Sequence, residues 1–210
     1  MQRASRRTRF ASSRASVPGC ETGRAALKVV KSSVVLAVLF VAGLGIYVLL
    51  GAYSIGADVP HSGLVFSLLS TVRDRGVSAG ARAISVPADL DSPQRLSDGA
   101  GQYAAMCSQC HLAPGYESSE IWKGLYPQPP RLARVIDLTP AEVFWVVKHG
   151  LKFSGMPAWG KSHSDAEIWD ITAFVLKLPH LTAAQYKDVV AHAPPDTDMM
   201  TMPAPADGKQ

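Results

Sequence analysis

One run of apolar residues dominates the pattern of hydrophobic and polar positions along this chain of 210 residues. Residues 32–57 contain no charged side chain over 26 positions. About 20 apolar residues, each rising about 1.5 Å, are enough to cross the hydrocarbon core of a bilayer. Buried core helices of soluble proteins rarely stay uncharged over such a length. The pattern therefore predicts a transmembrane helix over 32–57, with Tyr47 and Tyr53 as anchors at the membrane interface.

A shorter amphipathic segment follows the apolar run. Its apolar positions recur at the spacing of a helix, and they are Leu64, Val65, Leu68, Leu69 and Val72. The spacing predicts a helix within a stalk that spans residues 58–91. Three surfaces stay open as the packing partner of this helix: the membrane, a partner protein and the domain that follows.

Signals for the starts and ends of short helices dominate the rest of the chain. Ser92-Pro93 provides an N-cap followed by proline at the first helical position. Thr139 to Glu142 and Ser164 to Glu167 each have the pattern of a capping box. Gly150 and Pro179 mark helix ends. Because strand signals are almost absent, we expect an all-α domain built of several short helices.

The charge of the chain is unevenly distributed. Residues 1–31 contain eight of the 21 Lys and Arg residues and one acid, Glu21, whereas the remainder carries more acids than bases. The formal net charge of +4 therefore comes from this basic arm, and we expect no nucleic-acid partner. By the positive-inside rule the arm stays in the cytoplasm and the domain after the apolar run is exported.

Two alternatives for the N-terminal region stay open. An arm rich in Arg and Ser and poor in acids is also typical of a mitochondrial transit peptide. The apolar run is also compatible with a cleaved signal peptide, although such runs usually have about 7 to 15 residues and no clear A-x-A-like cleavage site follows here. We expect an uncleaved, single-pass anchor in a bacterial inner membrane with the domain in the periplasm. The mitochondrial inner membrane is the alternative location.

The candidate chemistry is concentrated in Cys107-Ser108-Gln109-Cys110-His111, a C-x-x-C-H motif that is the signature of covalent haem c attachment. The two thiols fall within one helical turn, where each can form a thioether to a haem vinyl group, and the adjoining His can bind the iron. A zinc site would need a second Cys pair, and a thioredoxin-like dithiol would need a βαβ pattern. The motif therefore predicts one covalently bound haem c, and leaves Cys20 as a reduced thiol across the membrane.

Residues 99–115 (GAGQYAAMCSQCHLAPG) and 154–160 (SGMPAWG) resemble the two ends of a class I cytochrome c domain. The resemblance covers about half of the chain, from Pro93 to about Val190. It implies that His111 and the thioether of Met156 ligate the iron. It also implies a crossing of the first and last helices of the domain, in which small and aromatic residues meet: Gly99 and Tyr103 against Trp169 and Phe174.

The resemblance further implies a proline carbonyl that accepts the Nδ1 hydrogen of the ligand histidine, which fixes the ring and raises its basicity. The proline-rich segment 126–132 supplies the candidate, Pro130. Pro129 and Pro114 are the alternatives.

Several side chains compete with Met156 for the iron. Met106 adjoins Cys107 and is expected to point away from the metal. His149 ends a helix and His163 precedes the next one, where surface histidines are common. Met156 instead lies between a glycine that allows close approach of the backbone and a proline that stiffens the loop, so it is the predicted ligand.

Two strong protein ligands leave the iron no open position for oxygen or peroxide, which favours electron transfer. We therefore expect an electron carrier rather than an enzyme. Its partners would be redox proteins such as a quinol-oxidising complex, a dehydrogenase or a terminal oxidase. The alternatives are a fixed haem subunit of a periplasmic dehydrogenase or oxidase complex, and an enzyme or gas sensor in which Met156 is not bound.

The predicted organisation has five segments. They are a basic cytoplasmic arm (1–31), a transmembrane anchor (32–57), a stalk with an amphipathic helix (58–91), a cytochrome c domain (92–192) and a disordered tail rich in Pro and Asp (193–210).

Overall fold

The structure, a computed structural model, describes residues 19–134 and 136–194, with only the backbone for residues 19–23. The chain divides into two compact units, and the boundary lies between Ile55 and Gly56. All regular structure in the described ranges is helical, which confirms the predicted all-α class. The predictions for residues 1–18 of the basic arm, and for the tail beyond residue 194, fall outside the described residues.

The first unit contains one long helix, α1 (Gly19–Leu49). Its part from Arg24 to Leu49 is long and apolar enough to cross a membrane. The helix ends earlier than the predicted span because Gly51 adopts a left-handed conformation, with φ of 63°. The amide of Ala52 donates to the Tyr47 carbonyl at 3.2 Å, and that of Gly51 to Val48 at 3.0 Å, which is the pattern of a Schellman motif.

The second unit begins with α2 (Gly63–Ala81), which Ser62 caps through a hydrogen bond from the Val65 amide. Val77 and Ala81 on this helix are buried. Ser78 donates to a carboxylate oxygen of Glu142 at 2.6 Å. Of the three surfaces left open for this helix, its C-terminal half packs against the domain that follows.

The helical segment that Ser92-Pro93 opens reaches the Cys motif in three pieces. An α-helix, α3 (Pro93–Gln102), is followed by a π-helical turn (Tyr103–Cys107) and then by the short helix α4 (Ser108–His111). The wider turn arises because the amide of Ser108 bonds to the carbonyl of Tyr103, five residues earlier. Such π-turns rotate the residues after them relative to a regular helix.

The remaining helices of the second unit have clear start signals. They are α5 (Glu120–Gly124), α6 (Pro140–His149), α7 (Asp165–Lys177) and α8 (Ala183–His192). Both predicted capping boxes form, at α6 and α7, and a third one at α8 joins Thr182 and Gln185. Gly150 caps the C-terminus of α6, and α7 ends before Pro179, as predicted.

Helices α3 and α7 form the largest helix contact in the described part of the chain. A Cβ atom at Gly99 would overlap the carbonyl oxygen of Asp170, so only glycine allows this approach. The Tyr103 ring lies 5.6 Å from that of Phe174, measured between centroids. Trp169, the other aromatic residue predicted at this crossing, stacks its ring on Phe144 of α6 at 4.1 Å.

Candidate functional site

Of the two cysteines of the C-x-x-C-H motif, Cys107 ends the π-helical turn and Cys110 lies on the short helix α4. Neither thiol is in a disulfide; Cys107 is buried and Cys110 is half-buried. Burial raises the pKa of Cys107 to about 12 and also raises the pKa of Cys110. Both side chains are therefore neutral thiols near pH 7, available to form thioethers.

Side-chain hydrogen bonds fix the turn on which these thiols lie. The hydroxyl of Ser108 donates to the Ala104 carbonyl at 2.7 Å. The buried hydroxyl of Tyr103 donates to the Leu112 carbonyl at 2.6 Å, and burial raises the pKa of this phenol. Leu112 has a φ of 61°, a conformation that non-glycine residues rarely adopt. The chain thus turns sharply just after His111.

His111 faces the proline-rich segment. Its Nδ1 atom lies 3.0 Å from the carbonyl oxygen of Pro130. When Nδ1 carries the hydrogen, it donates to this carbonyl, and Nε2 keeps its lone pair for a metal. Burial lowers the pKa of His111, against the opposing effect of the bond to Pro130, so the neutral imidazole is favoured.

The segment that carries Pro130 is itself held in place. The indole nitrogen of Trp122 donates to the carbonyl of Pro129 at 2.9 Å. Pro129, the alternative acceptor for His111, therefore has its carbonyl bound to Trp122. The guanidinium of Arg131 lies 4.4 Å from the ring centroid of Trp122. Arg131 also pairs with Glu117 at 3.0 Å. Trp122 therefore fastens the loop beside the histidine.

Met156 lies in a tight loop after α6. The loop needs glycine at position 150, where φ is 63° and a Cβ atom would lie 2.6 Å from the Pro157 carbonyl. Ser154 Oγ donates to the Leu151 carbonyl at 2.8 Å and accepts from the Met156 amide at 3.2 Å. These contacts fix the backbone from which the thioether projects.

The methionine loop approaches Leu125, the residue just before the proline-rich segment. A Cβ atom at Gly155 would lie 2.7 Å from a methyl group of Leu125. Met156 is half-buried and packs against the hydrophobic core that includes Cys107. The fold therefore brings the Met156 loop next to Leu125 and to the core that includes Cys107.

The competing side chains have other surroundings. The ring of His149 lies 5.0 Å from that of Trp145, between centroids. His163, expected at the surface, is buried, with 8% of its area exposed. Its Nδ1 atom lies 2.9 Å from the Ser162 hydroxyl, while its Nε2 atom has no partner within the described residues. Met106 packs, half-buried, against the core.

The donor set fits iron that arrives within a porphyrin. Within residues 24–134 and 136–194, no group of three or more His, Cys, Asp or Glu side chains could hold a bare metal ion. Two thiols, one imidazole nitrogen and one thioether are available instead. This set matches covalent attachment at two positions and two axial ligands.

Phe153 was not predicted as a functional residue. It lies three residues before Met156, has a φ of 59° and leaves 82% of its area exposed. No sequence pattern indicates this positive φ. The signal in the sequence that could have identified Phe153 is an apolar residue next to the predicted ligand loop.

Comparison with known proteins gives one family match. The family described as "Cytochrome C oxidase, cbb3-type, subunit III" matches residues 94–175, which is less than half of the chain. The matched residues run from α3 into α7 and include the C-x-x-C-H turn, the proline-rich segment and the Met156 loop. No curated protein and no solved structure matches this chain.

Proposed function

Since residues 94–175 form a class I c-type cytochrome domain, we propose that the chain is a membrane-anchored electron carrier with one covalently bound haem c. Cys107 and Cys110 would form the thioethers to this haem, and Nε2 of His111 and the sulfur of Met156 would bind its iron.

The contact between His111 and Pro130 carries this proposal. A neutral histidine whose Nδ1 hydrogen is bound by a carbonyl presents Nε2 as a ligand in a fixed orientation. This histidine directly follows the two free thiols in the chain. The combination of two thiols with an oriented imidazole is what haem c attachment needs.

Haem c supplies one-electron redox chemistry at the iron, and a His/Met ligand pair raises its potential. The protein's own residues then decide what chemistry is possible. With both His111 and Met156 bound to the iron, no position would remain for oxygen or peroxide. The loop contacts around Gly150 and Ser154 keep the thioether in place, so electron transfer is favoured over bond-making.

Membrane anchoring is supported by α1. Its segment Arg24–Leu49 has 26 residues and is long and apolar enough to cross a membrane. Arg24, Lys28 and Lys31 lie on the N-terminal side of its apolar part, which favours a cytoplasmic N-terminus and a periplasmic cytochrome domain in a bacterial inner membrane. Resistance to alkaline extraction, together with an intact N-terminal sequence by mass spectrometry, tests the anchor. A processed N-terminus would identify a signal sequence.

The surface beside the Met156 loop is the proposed docking site for redox partners. Phe153 and Pro157 are exposed there, and Trp159 and Ala158 are half-buried. Weak redox encounters use small contact areas, and one exposed aromatic ring suits such a contact. We propose redox proteins as the partners, such as a quinol-oxidising complex, a dehydrogenase or a terminal oxidase.

A second candidate is a fixed haem subunit of an oxidase or dehydrogenase complex. The description of the matching family as an oxidase subunit favours it. Purification from the native membrane in mild detergent separates the two functions. A stoichiometric catalytic subunit in the preparation supports the complex, and a chain that purifies alone supports the shuttle.

Spectroscopic titration tests the carrier function itself. The reduced-minus-oxidised spectrum should follow a one-electron Nernst curve, and carbon monoxide should leave the ferrous spectrum unchanged. A ferrous form that binds carbon monoxide at once would indicate an open iron position, and with it a gas sensor or an enzyme.

A further inference from the structure

Helix α2 has one face against its own domain. Gly80 lies against the indole ring of Trp145, where a Cβ atom would overlap the ring. Ser78 bonds to Glu142, and Val77 is buried. These contacts come from the C-terminal half of the helix and fix which of its sides faces the domain.

A second face of α2 is apolar and uncovered. Leu64, Leu68 and Val72 follow one another at intervals of four residues and leave 82%, 61% and 62% of their areas exposed. Four residues advance a helix by slightly more than one turn, so the three side chains form a single stripe. By the same geometry the stripe lies on the side of the helix roughly opposite Val77.

Two arginines continue this stripe. Arg75 and Arg82 lie 11 and 18 residues after Leu64, which are three and five full turns, so they project from the same side. Neither arginine is in an ion pair within residues 24–134 and 136–194. An aliphatic stripe that continues into unpaired arginines is typical of helices that lie in the interface of an anionic membrane.

The start of α2 is held by its connection to α1 and by a contact with the proline-rich segment. Residues 50–62 separate it from the end of α1, and such a connection extends over at most about 45 Å. If α1 anchors the chain, α2 therefore stays within reach of the bilayer surface. The amide of His61, just before α2, donates to the Tyr126 hydroxyl at 3.0 Å, and the two rings meet edge to face.

We propose that the stripe formed by Leu64, Leu68, Val72, Arg75 and Arg82 lies in the interface of the bilayer, with the arginines at anionic lipid head groups. The inference rests on the proposed membrane anchor. It assigns α2 a role beyond that of a spacer. Because His61 contacts Tyr126 in the proline-rich segment, a bilayer-bound α2 holds the His111 side of the domain at a fixed orientation to the membrane.

Photo-crosslinking in the native membrane identifies what covers the stripe. The full chain carries Leu68→benzoylphenylalanine, and its matched control carries Phe153→benzoylphenylalanine, at an apolar position that is more exposed than Leu68. We expect a phospholipid adduct at position 68 and none at position 153. A protein adduct at position 68 would identify a partner surface and overturn the proposal, as would the absence of any adduct or an equal lipid yield at both positions.

The arginines are tested with the purified full chain in vesicles. In phosphatidylcholine vesicles containing phosphatidylglycerol, Arg75→Gln/Arg82→Gln should lower the lipid adduct at position 68 several-fold. In vesicles of phosphatidylcholine alone the same variant should change little. If the double substitution changes the yield of the lipid adduct equally in both kinds of vesicle, the role of the arginines is contradicted. Flotation of the vesicles distinguishes this outcome from failure of the anchor, because a chain that is not anchored does not float with the vesicles.

Discussion

His111 Nδ1 lies 3.0 Å from the carbonyl oxygen of Pro130. This contact joins the C-x-x-C-H turn to a loop that begins 15 residues later, at Tyr126. Trp122 holds the same loop through the carbonyl of Pro129. The orientation of the histidine therefore depends on an indole that binds the neighbouring carbonyl of the same loop.

Removing that indole hydrogen bond should change the redox potential. In Trp122→Phe the loop loses its donor, so the bond from His111 to Pro130 weakens and the imidazole becomes a poorer electron donor. The midpoint potential should rise by up to roughly 60 mV, which corresponds to a tenfold change in relative ligand affinity. Spectroelectrochemical titration measures the shift. Trp145→Phe, on α6, is the control, and an equal shift in both variants would argue against a specific role of Trp122.

Covalent attachment should depend on both motif cysteines. In Cys107→Ser/Cys110→Ser no thioether can form, and haem staining after denaturing electrophoresis should disappear. Each single variant should keep one thioether and show an altered pyridine haemochrome spectrum. Cys20→Ser, outside the motif, should retain full staining. Staining that survives in the double variant would rule out these residues as the attachment points.

The crossing of α3 and α7 should not tolerate a side chain at position 99. Gly99→Ala places a methyl group against the backbone of Asp170, and such overpacking costs about 1–3 kcal/mol. Gly76→Ala meets nothing within 4 Å and should instead stabilise α2 by about 0.5–1 kcal/mol. Denaturant unfolding of the haem-loaded protein gives both values. Similar effects of the two substitutions would contradict the observed crossing.

The capping boxes should account for part of the stability that the protein loses at low pH. Hydrogen bonds from Ser78 and Thr139 lower the pKa of Glu142, and those from Ser164 lower the pKa of Glu167. Each ionised carboxylate therefore stabilises the fold above its usual pKa of 4.5, and this contribution is lost as the pH falls below it. Both groups are well solvated, so the contribution is a few tenths of a kcal/mol each.

Thermal melts between about pH 6 and pH 3 check this expectation. Glu142→Gln/Glu167→Gln should lose less stability than the unmodified protein on acidification. Asp137→Asn removes an exposed carboxylate outside the capping boxes and should follow the unmodified protein. A double variant with an unchanged pH profile would show that the boxes do not contribute.

Local patterns predicted much of this fold because their physical causes are local. Capping boxes depend on side chains three residues apart, so the starts of α6 and α7 follow directly from the sequence. The same signal, with Thr182 and Gln185, lies at the start of α8. Gly51 likewise indicated the end of α1, although the uncharged run continues to Ala57.

Features that depend on distant contacts did not follow from the sequence. The π-turn before Cys107 and the positive φ of Phe153 have no local pattern. Trp169 has helical spacing that suits either α3 or α6, and only the packed core selects Phe144 as its partner. The burial of His163 similarly depends on how the loop after Trp159 closes.

The ferric charge-transfer band between a methionine sulfur and iron tests the central claim most directly. The full chain should show this band, Met156→Ala should lose it, and Met106→Ala should retain it. A full chain without the band, or a Met156→Ala variant that keeps it, would contradict His/Met ligation and with it the electron-carrier function.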